Sequence, residues 1–500
     1  MKMVLPMSSK VCELYELTAK VGKFPRDRKV IICHGCWDVL HPGHIRHLTY
    51  AKSKADILVV SITSDKHIVK GTYRPYVPQD IRAESVAALS MVDYIVIDDH
   101  TAALEIIASL QPDFFAKGFE YASRNEATKA EVSAVESYGG KVIFTPGDIV
   151  YSSTKLLNTH LPKLHIEKLI NLMRKFDITF DGLRRVFKQF HDYSIHVVGD
   201  TIIDTYTRTN LIGCNAKTPT FSVLYDGHED FVGGAAIVAR HLKVAGADVT
   251  FTTVLGNDKM GRFAASEMKN IKLEAIIDES RPTTHKNVII AGDSRLLKID
   301  TVDNSQVSVN ICREISDLIS RTGCNAIIFS DFRHGIFNKN TIPVFSKIRP
   351  ESFMVADSQT ASRWGNITEF SGFDLITPNE KEARFALADQ DSNIGALAST
   401  TKEAAQAKNI ILKLGTRGVF FLQDGLPHSV DSFADDVKDA VGAGDALLAY
   451  ATLTMLASKS LPMACIIGSM AAACECEIDG NMPVTPEAVL AKLDEVEKMI

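Results

Sequence analysis

The chain alternates short apolar runs with longer stretches whose apolar residues recur at helical spacing, and the alternation breaks once. Between residues 29 and 158 the runs 29–33, 56–62, 94–97, 114–115 and 141–144 are short and rich in β-branched or aromatic residues, which predicts buried strands. Helical patterns fill the gaps, notably at 45–52, 79–91 and 101–110. Strands alternating with helices predict a parallel sheet covered on both faces. Residues 1–28 add a short helix and a polar lead-in. From Leu156 to Tyr193 the pattern changes to two charged amphipathic helices, 163–176 and 181–190, without a strand, which predicts a helical, partly docked linker. A second strand–helix series opens at Ile195 and runs to Asp200 and beyond. The expected organisation is α/β in two domains, 1–158 and 194–500, joined by 159–193.

In open parallel sheets ligands bind at the carboxyl ends of the strands, so residues just after each strand are the candidates for chemistry. The first strand runs into His34-Gly35-Cys36-Trp37-Asp38-Val39-Leu40-His41-Pro42-Gly43-His44. Pro42 suits a first helical turn, where a missing N–H costs nothing. His41 and His44 therefore fall three apart at a strand-to-helix junction, beside a helix N-terminus that attracts anions. Two imidazoles there suit a phosphorus centre gaining negative charge. Lys70, Arg74, Arg82 and Lys117 carry positive charge toward the same edge, and Ser152, Ser153 and Thr154 offer hydroxyls and N–H groups at another helix start.

The second series holds a different constellation. Asp439-Ala440-Val441-Gly442-Ala443-Gly444-Asp445 precedes an apolar helical run. Small residues at a helix N-terminus leave successive N–H groups open to a phosphoryl group, and a carboxylate beside them can take a proton from an attacking hydroxyl. The pair Gly233-Gly234 enters a predicted helix and would let backbone approach a polyol closely. Strand-end carboxylates at Asp331 and Asp357 are further candidates for metal or sugar.

These segments carry resemblances. The tetrad at 41–44 resembles the HxGH signature of the nucleotidyltransferase superfamily, and the match continues through 69–75, 112–118 and 151–154, as in the adenylyltransferase half of bifunctional heptose-phosphate kinase/adenylyltransferases. Asp200 and Asp204, Gly233-Gly234, Thr377-Pro378-Asn379-Glu380-Lys381-Glu382, the turn 413–418 and the segment 439–445 resemble, in order, the ribokinase-like carbohydrate kinases. The resemblance implies a Rossmann-like HxGH domain followed by a ribokinase-like domain with a small β-lid near 218–230 that mediates a homodimer. The familiar bifunctional enzymes have the reverse order. It further implies Asp445, His41 and His44 as catalytic residues. Nucleotide and phosphate would be bound by His34, Gly35, Lys117, Arg82, Ser153, Thr154, Gly442, Ala443, Gly444, Asn379, Glu382, Lys413 and Gly415. Sugar would be bound by Asp204, Gly233 and Gly234, with Mg²⁺ reached by Glu382 through water and ATP as substrate. The implied activity is ATP-dependent phosphorylation of a sugar, heptose 7-phosphate at C1, and nucleotidyl transfer from ATP to a sugar 1-phosphate. Two departures stand out. Ile237 replaces an Asn that follows the paired glycines in heptose-phosphate kinases, and Val441 replaces a hydroxyl residue. Transfer of the cytidylyl group of CTP to a polyol phosphate with release of pyrophosphate, a kinase of other sugar specificity, and an inactive sensing or dimerisation module are the rival readings.

Composition excludes more than it selects. A net charge of −6, spread along the chain, argues against a nucleic-acid surface. The most apolar stretch, 440–457, is interrupted by Asp445 and too short to span a membrane. The opening residues lack the apolar core and cleavage site of a secretory signal. Nine scattered cysteines fit a reducing compartment, which predicts a cytoplasmic protein. The pairs Cys33/Cys36 and Cys474/Cys476 lack the further ligands a zinc site needs.

Overall fold

The computed structural model describes the whole chain except residues 1–8, 41, 69–74, 101, 119–125, 146–163, 215–219, 361–364, 435–436, 479 and 500. The chain divides into two compact units, one of residues 1–164 with 391–394, the other of 165–390 with 395–500.

In the first unit five strands, β1 (Val30–Gly35), β2 (Ile57–Thr63), β3 (Tyr94–Asp98), β4 (Phe114–Gly118) and β5 (Lys141–Thr145), form a parallel sheet in the order β3-β2-β1-β4-β5. Alternate side chains leave opposite faces of a strand. Ile31 and Cys33 accordingly pack with Leu48, Leu58, Val60 and Ala83, whereas Val30 and Ile32 pack with Leu17, Val59, Ile106 and Phe115. Both faces are covered, which is why the strands read as continuous apolar runs. The helix after β1, Pro42–Lys52, buries Leu48 and Ala51 on the first face; the helix Glu126–Glu136 after β4 buries Val135 on the second. Strand order therefore reverses between β1 and β4, and the crevice at their carboxyl ends is where ligands bind in such sheets.

The second unit has a nine-stranded sheet and a four-stranded one. The large sheet contains β6 (Ser194–Gly199), β9 (Asp248–Leu255), β10 (Lys272–Ile277), β13 (Ala326–Asp331), β14 (Phe353–Ser358), β15 (Leu375–Ile376), β16 (Asn409–Lys413), β17 (Val419–Gln423) and β18 (Leu426–Val430) in the order β10-β9-β6-β13-β14-β15-β16-β17-β18. It is parallel up to β16 and antiparallel beyond. The small sheet contains β7 (Thr201–Cys214), β8 (Phe221–Gly234), β11 (Thr284–Ala291) and β12 (Ser294–Thr301) in the order β12-β11-β7-β8. It is larger than the alternating runs near 218–230 suggest, because two later strands join it. The helix Ala443–Ser458 is buried on all sides from Asp445 to Leu456, as a core helix without an amphipathic stripe should be.

The expected linker proves to be part of the second unit. The helices Leu164–Lys175 and Phe180–Phe187 place Leu169, Leu172, Met173, Leu183 and Val186 in its main core, and Phe187 and Phe190 lie against the Tyr450 ring. Their strong amphipathicity reflects a docked face, a feature that charge on the opposite face obscures in the sequence.

Candidate active sites

At the carboxyl edge of the first unit, β1, β2 and β3 end in one hydrogen-bonded network. His34 Nδ1 lies 2.8 Å from Ser61 Oγ and 3.8 Å from Asp98, and His34 Nε2 lies 3.4 Å from Thr63 Oγ1. Asp98 also accepts from His100 Nδ1 at 2.9 Å. Burial raises the Asp98 carboxyl above its usual range, against the lowering effect of His100. Trp37 donates through Nε1 to Ser61 O at 3.1 Å, and its ring lies 5.0 Å from that of His44, tilted by 57°. His44 is thus braced by an aromatic side chain that is itself tied to β2. The β1–β4 register, which pairs Cys33 with Ala116, brings Lys117 to the same edge, where it is ion-paired with Glu131. Gly35 lies against the Trp37 ring, with room for a Cβ only at 3.4 Å contact. His41, Lys70, Arg74, Ser153 and Thr154 lie outside the described residues.

Arg82 is corrected. Its side chain is fully buried and engages Val77 O, Cys36 O, Thr63 O and Asp65 within the protein. A guanidinium with its donors committed in this way holds the loops after β1 and β2 together and presents nothing to a nucleotide. The Ser61–Asp98–His100 part of the network escaped sequence reading because its members are strand-end residues of unrelated segments.

In the second unit Asp445 sits in the first turn of the helix Ala443–Ser458, behind Gly442 in left-handed conformation (φ 85°). Burial, then Asp357, pushes its carboxyl up to about 8; Lys413 opposes, and Asp204 and Glu382 add to the rise. Lys413 Nζ is 2.7 Å from Asp357 Oδ1, which also accepts from Thr377 Oγ1 at 2.8 Å. A Cβ on Gly444 would stand 3.3 Å from Lys413 Nζ, so the ammonium underlies the glycine turn. Burial works against that charge, but Asp357, Glu382 and Asp445 hold its pKa above the usual value. Asn379 and Glu382 serve each other first: Glu382 N donates to Asn379 Oδ1 (2.9 Å) and Asn379 N to Glu382 Oε2 (2.7 Å), a reciprocal cap on the helix Glu380–Leu387. Burial raises Glu382 to about 7, with Asp357 adding to it. Gly415 (φ 62°) opens the turn after Lys413 with clear space at its Cα.

The sugar-side residues also converge. A Cβ on Gly233 would meet Asp204 Oδ2 at 2.4 Å, and one on Gly234 (φ 63°) would meet Asp200 O at 2.4 Å. Only glycine permits this approach of β8 to β7. Burial raises the Asp204 carboxyl, and Lys286 and Lys298 on β11 and β12 oppose the rise. Asp331 proves structural, bonded to the buried Arg333 and to Ser358. Ile237 is fully buried, so its side chain is packed inside the protein. Lys286 escaped the sequence reading, as did the latch formed when Tyr206 Oη donates to Asp439 at 2.7 Å with Arg295 beside it at 3.4 Å. These pairs join strands far apart in the chain.

A largely parallel sheet with a small second sheet, a glycine-lined helix start and a buried carboxylate together make a layout suited to holding a phosphoryl group. The chain belongs to the pfkB family of carbohydrate kinases, whose model matches residues 193–487. Residues 32–158 match the cytidylyltransferase-like family. The second unit shares its fold with phosphofructokinase-2 from Escherichia coli (TM-score 0.52, 15% identity, covering 61% of this chain and 99% of that one) and with ribokinase from Thermotoga maritima (TM-score 0.50, 20% identity, 60% and 99%). Among curated relatives, the bifunctional protein HldE of Helicobacter hepaticus is 27% identical over 291 residues (56% of this chain, 59% of its own length). HldE of Campylobacter jejuni is 28% identical over 297 residues (58% and 62%), and HldE of Syntrophotalea carbinolica is 40% identical over 119 residues (23% and 24%). The chain spans about three fifths of the length of the first two. No helix among the described residues is long and apolar enough to cross a membrane.

Proposed function

We propose that this chain is a bifunctional transferase of activated-sugar synthesis. It phosphorylates a sugar with ATP, heptose 7-phosphate at C1, and couples a sugar 1-phosphate to the adenylyl group of ATP with release of pyrophosphate. The observation that carries the reading is the presence, in one chain, of two phosphate-directed sites of different chemistry, together with likeness to proteins named bifunctional HldE. In the kinase step the sugar lies against Gly233, Gly234 and Asp204. Ionised Asp445 takes the proton of the anomeric hydroxyl as its oxygen bonds to the γ-phosphorus and the bond to the ADP oxygen breaks. Amides of the Gly442–Gly444 turn and the Lys413 ammonium receive the charge of the transferring group. Mg²⁺, when bound, would neutralise phosphate charge. The carboxylate of Glu382 would reach it through water.

In the second step a sugar-phosphate oxygen attacks the α-phosphorus and pyrophosphate leaves, without a covalent enzyme intermediate. His41 and His44 stabilise the pentavalent centre, Lys117 holds a flanking phosphate, and Ser153 and Thr154 serve as further phosphate contacts. The match to the cytidylyltransferase-like family keeps CTP as the second reading. Mass spectrometry of products from heptose 7-phosphate and, separately, heptose 1-phosphate with ATP or CTP tests both. ADP-heptose is expected from the 1-phosphate with ATP; CDP-sugar alone would overturn the adenylyl assignment.

The small sheet is proposed to pair with a second copy in a cytoplasmic homodimer. Leu211 and Ile212 on β7, Phe221 and Leu224 on the adjacent β8, and Leu297 on β12 are exposed apolar groups of this one sheet, a surface that a soluble monomer rarely presents. Light scattering should give a dimer mass, and the double change Ile212→Asp, Phe221→Asp should give a monomer. An unchanged mass in that variant would refute the interface.

A further inference from the structure

The helix Leu461–Cys476 ends at the back of the phosphate-binding turn. Lys438 N and Asp439 N both donate to Cys476 O, at 2.8 and 3.3 Å, so the helix end holds the segment that leads into Gly442. One residue earlier stands Glu475, only 1% exposed, whose carboxyl meets no side-chain donor and is faced by the backbone N–H of Met482 alone. Asn481, 2% exposed, likewise has no partner at Oδ1. Both side chains converge on one point: a Cβ on Gly442 would lie 2.8 Å from Glu475 Oε1 and 2.3 Å from Asn481 Oδ1. Asn481 also faces the sugar side, its Nδ2 being 3.1 Å from the Cβ position of Gly233. Asn481 thus lies between the turn that receives the phosphoryl group and the glycine that receives the sugar.

Two acceptor oxygens converging on one point without a side-chain donor is a costly arrangement in a protein interior. A negative charge there is opposed twice over. The position is the last turn of a helix, where the dipole disfavours an anion. The charged groups facing Glu475 from other elements are both acids, Asp445 of the buried helix and Asp439 of the preceding loop, and on its own helix it is flanked by the thiols of Cys474 and Cys476.

We infer that Glu475 is a neutral carboxylic acid whose proton is shared with Asn481 Oδ1, and that the pair is a positioning device setting the Gly442 turn against the Gly233 sugar contact. Burial pushes Glu475 up to about 8, with Asp445 as the next cause, in agreement with the geometry. Because Asp445 must be ionised to act while Glu475 must stay protonated, the two acids divide one charge between them. The inference rests on the kinase reading for its kinetic consequence, but not for the protonation state itself.

Two measurements test it. In the infrared difference spectrum of wild type minus Glu475→Gln at neutral pH, a protonated-carboxyl C=O band is expected; carboxylate bands in its place would overturn the inference whether or not the kinase reading stands. In kinase assays Glu475→Ala should lose turnover by roughly 10–100-fold, the size of an unsatisfied buried polar group, and Asn481→Asp should do the same. Glu475→Gln should restore turnover and abolish the alkaline fall of the wild-type pH profile. Equal loss in the Ala and Gln variants, an alkaline fall that persists in Gln, or a monovalent-cation requirement that vanishes with Glu475→Gln would each contradict a shared proton.

Discussion

Replacing Asp445 by Asn is expected to lower the kinase turnover by roughly 10²–10⁴-fold, the range that a positioned general base contributes, with little change in KM for ATP. The side chain keeps its shape but can no longer accept the hydroxyl proton, whereas the amides and Lys413 proposed to bind phosphate are untouched. The same carboxyl predicts the pH dependence. Its pKa in the fold is about 8, pushed up mainly by burial and by Asp357. It must lose its proton to act, so kinase activity should rise along an acid limb as pH approaches that region, ionisation of Glu475 setting the alkaline fall, and the acid limb should vanish from what remains of Asp445→Asn activity. Stability runs the opposite way. A carboxyl whose folded pKa lies above its unfolded value binds protons more tightly in the fold, so ionising it destabilises the protein as pH rises between those values. Asp445→Asn should therefore melt a few degrees higher at neutral pH. Such an exchange of stability for activity is common at active sites.

His44→Ala should lower pyrophosphate release by roughly 10²–10³-fold, as loss of one donor to a developing charge does elsewhere. The loss should fall on turnover more than on KM, because the imidazole is directed at charge that grows in the transition state. Its placement supports that role: the ring is third in the helix Pro42–Lys52, lies against Trp37, and Trp37 is tied to Ser61 O. An imidazole braced on one side loses little freedom when it meets the phosphate.

Much of this was legible in the chain. Strands of the first unit appear as apolar runs because both sheet faces are covered, and Gly233, Gly234 and Gly442 announce themselves because side chains or backbone occupy the space a Cβ would need. Arg82 misled because a cation opening a helix near a phosphate motif looks alike whether it is buried or exposed. The helices at 164–187 looked like a linker because periodicity shows that a face is apolar without showing what covers it. Glu475, Asn481, Lys286 and the Tyr206–Asp439 latch were illegible, since each acquires meaning only from a partner brought by tertiary pairing.

The central claim is that two phosphorus centres are handled by two independent sets of residues. Phosphorus NMR of one reaction mixture, following ADP and pyrophosphate together, tests it most directly in Asp445→Asn and His44→Ala. The account predicts opposite outcomes: Asp445→Asn loses sugar-dependent ADP formation and keeps pyrophosphate release from sugar 1-phosphate, and His44→Ala does the reverse. Loss of both products in either folded variant would contradict it.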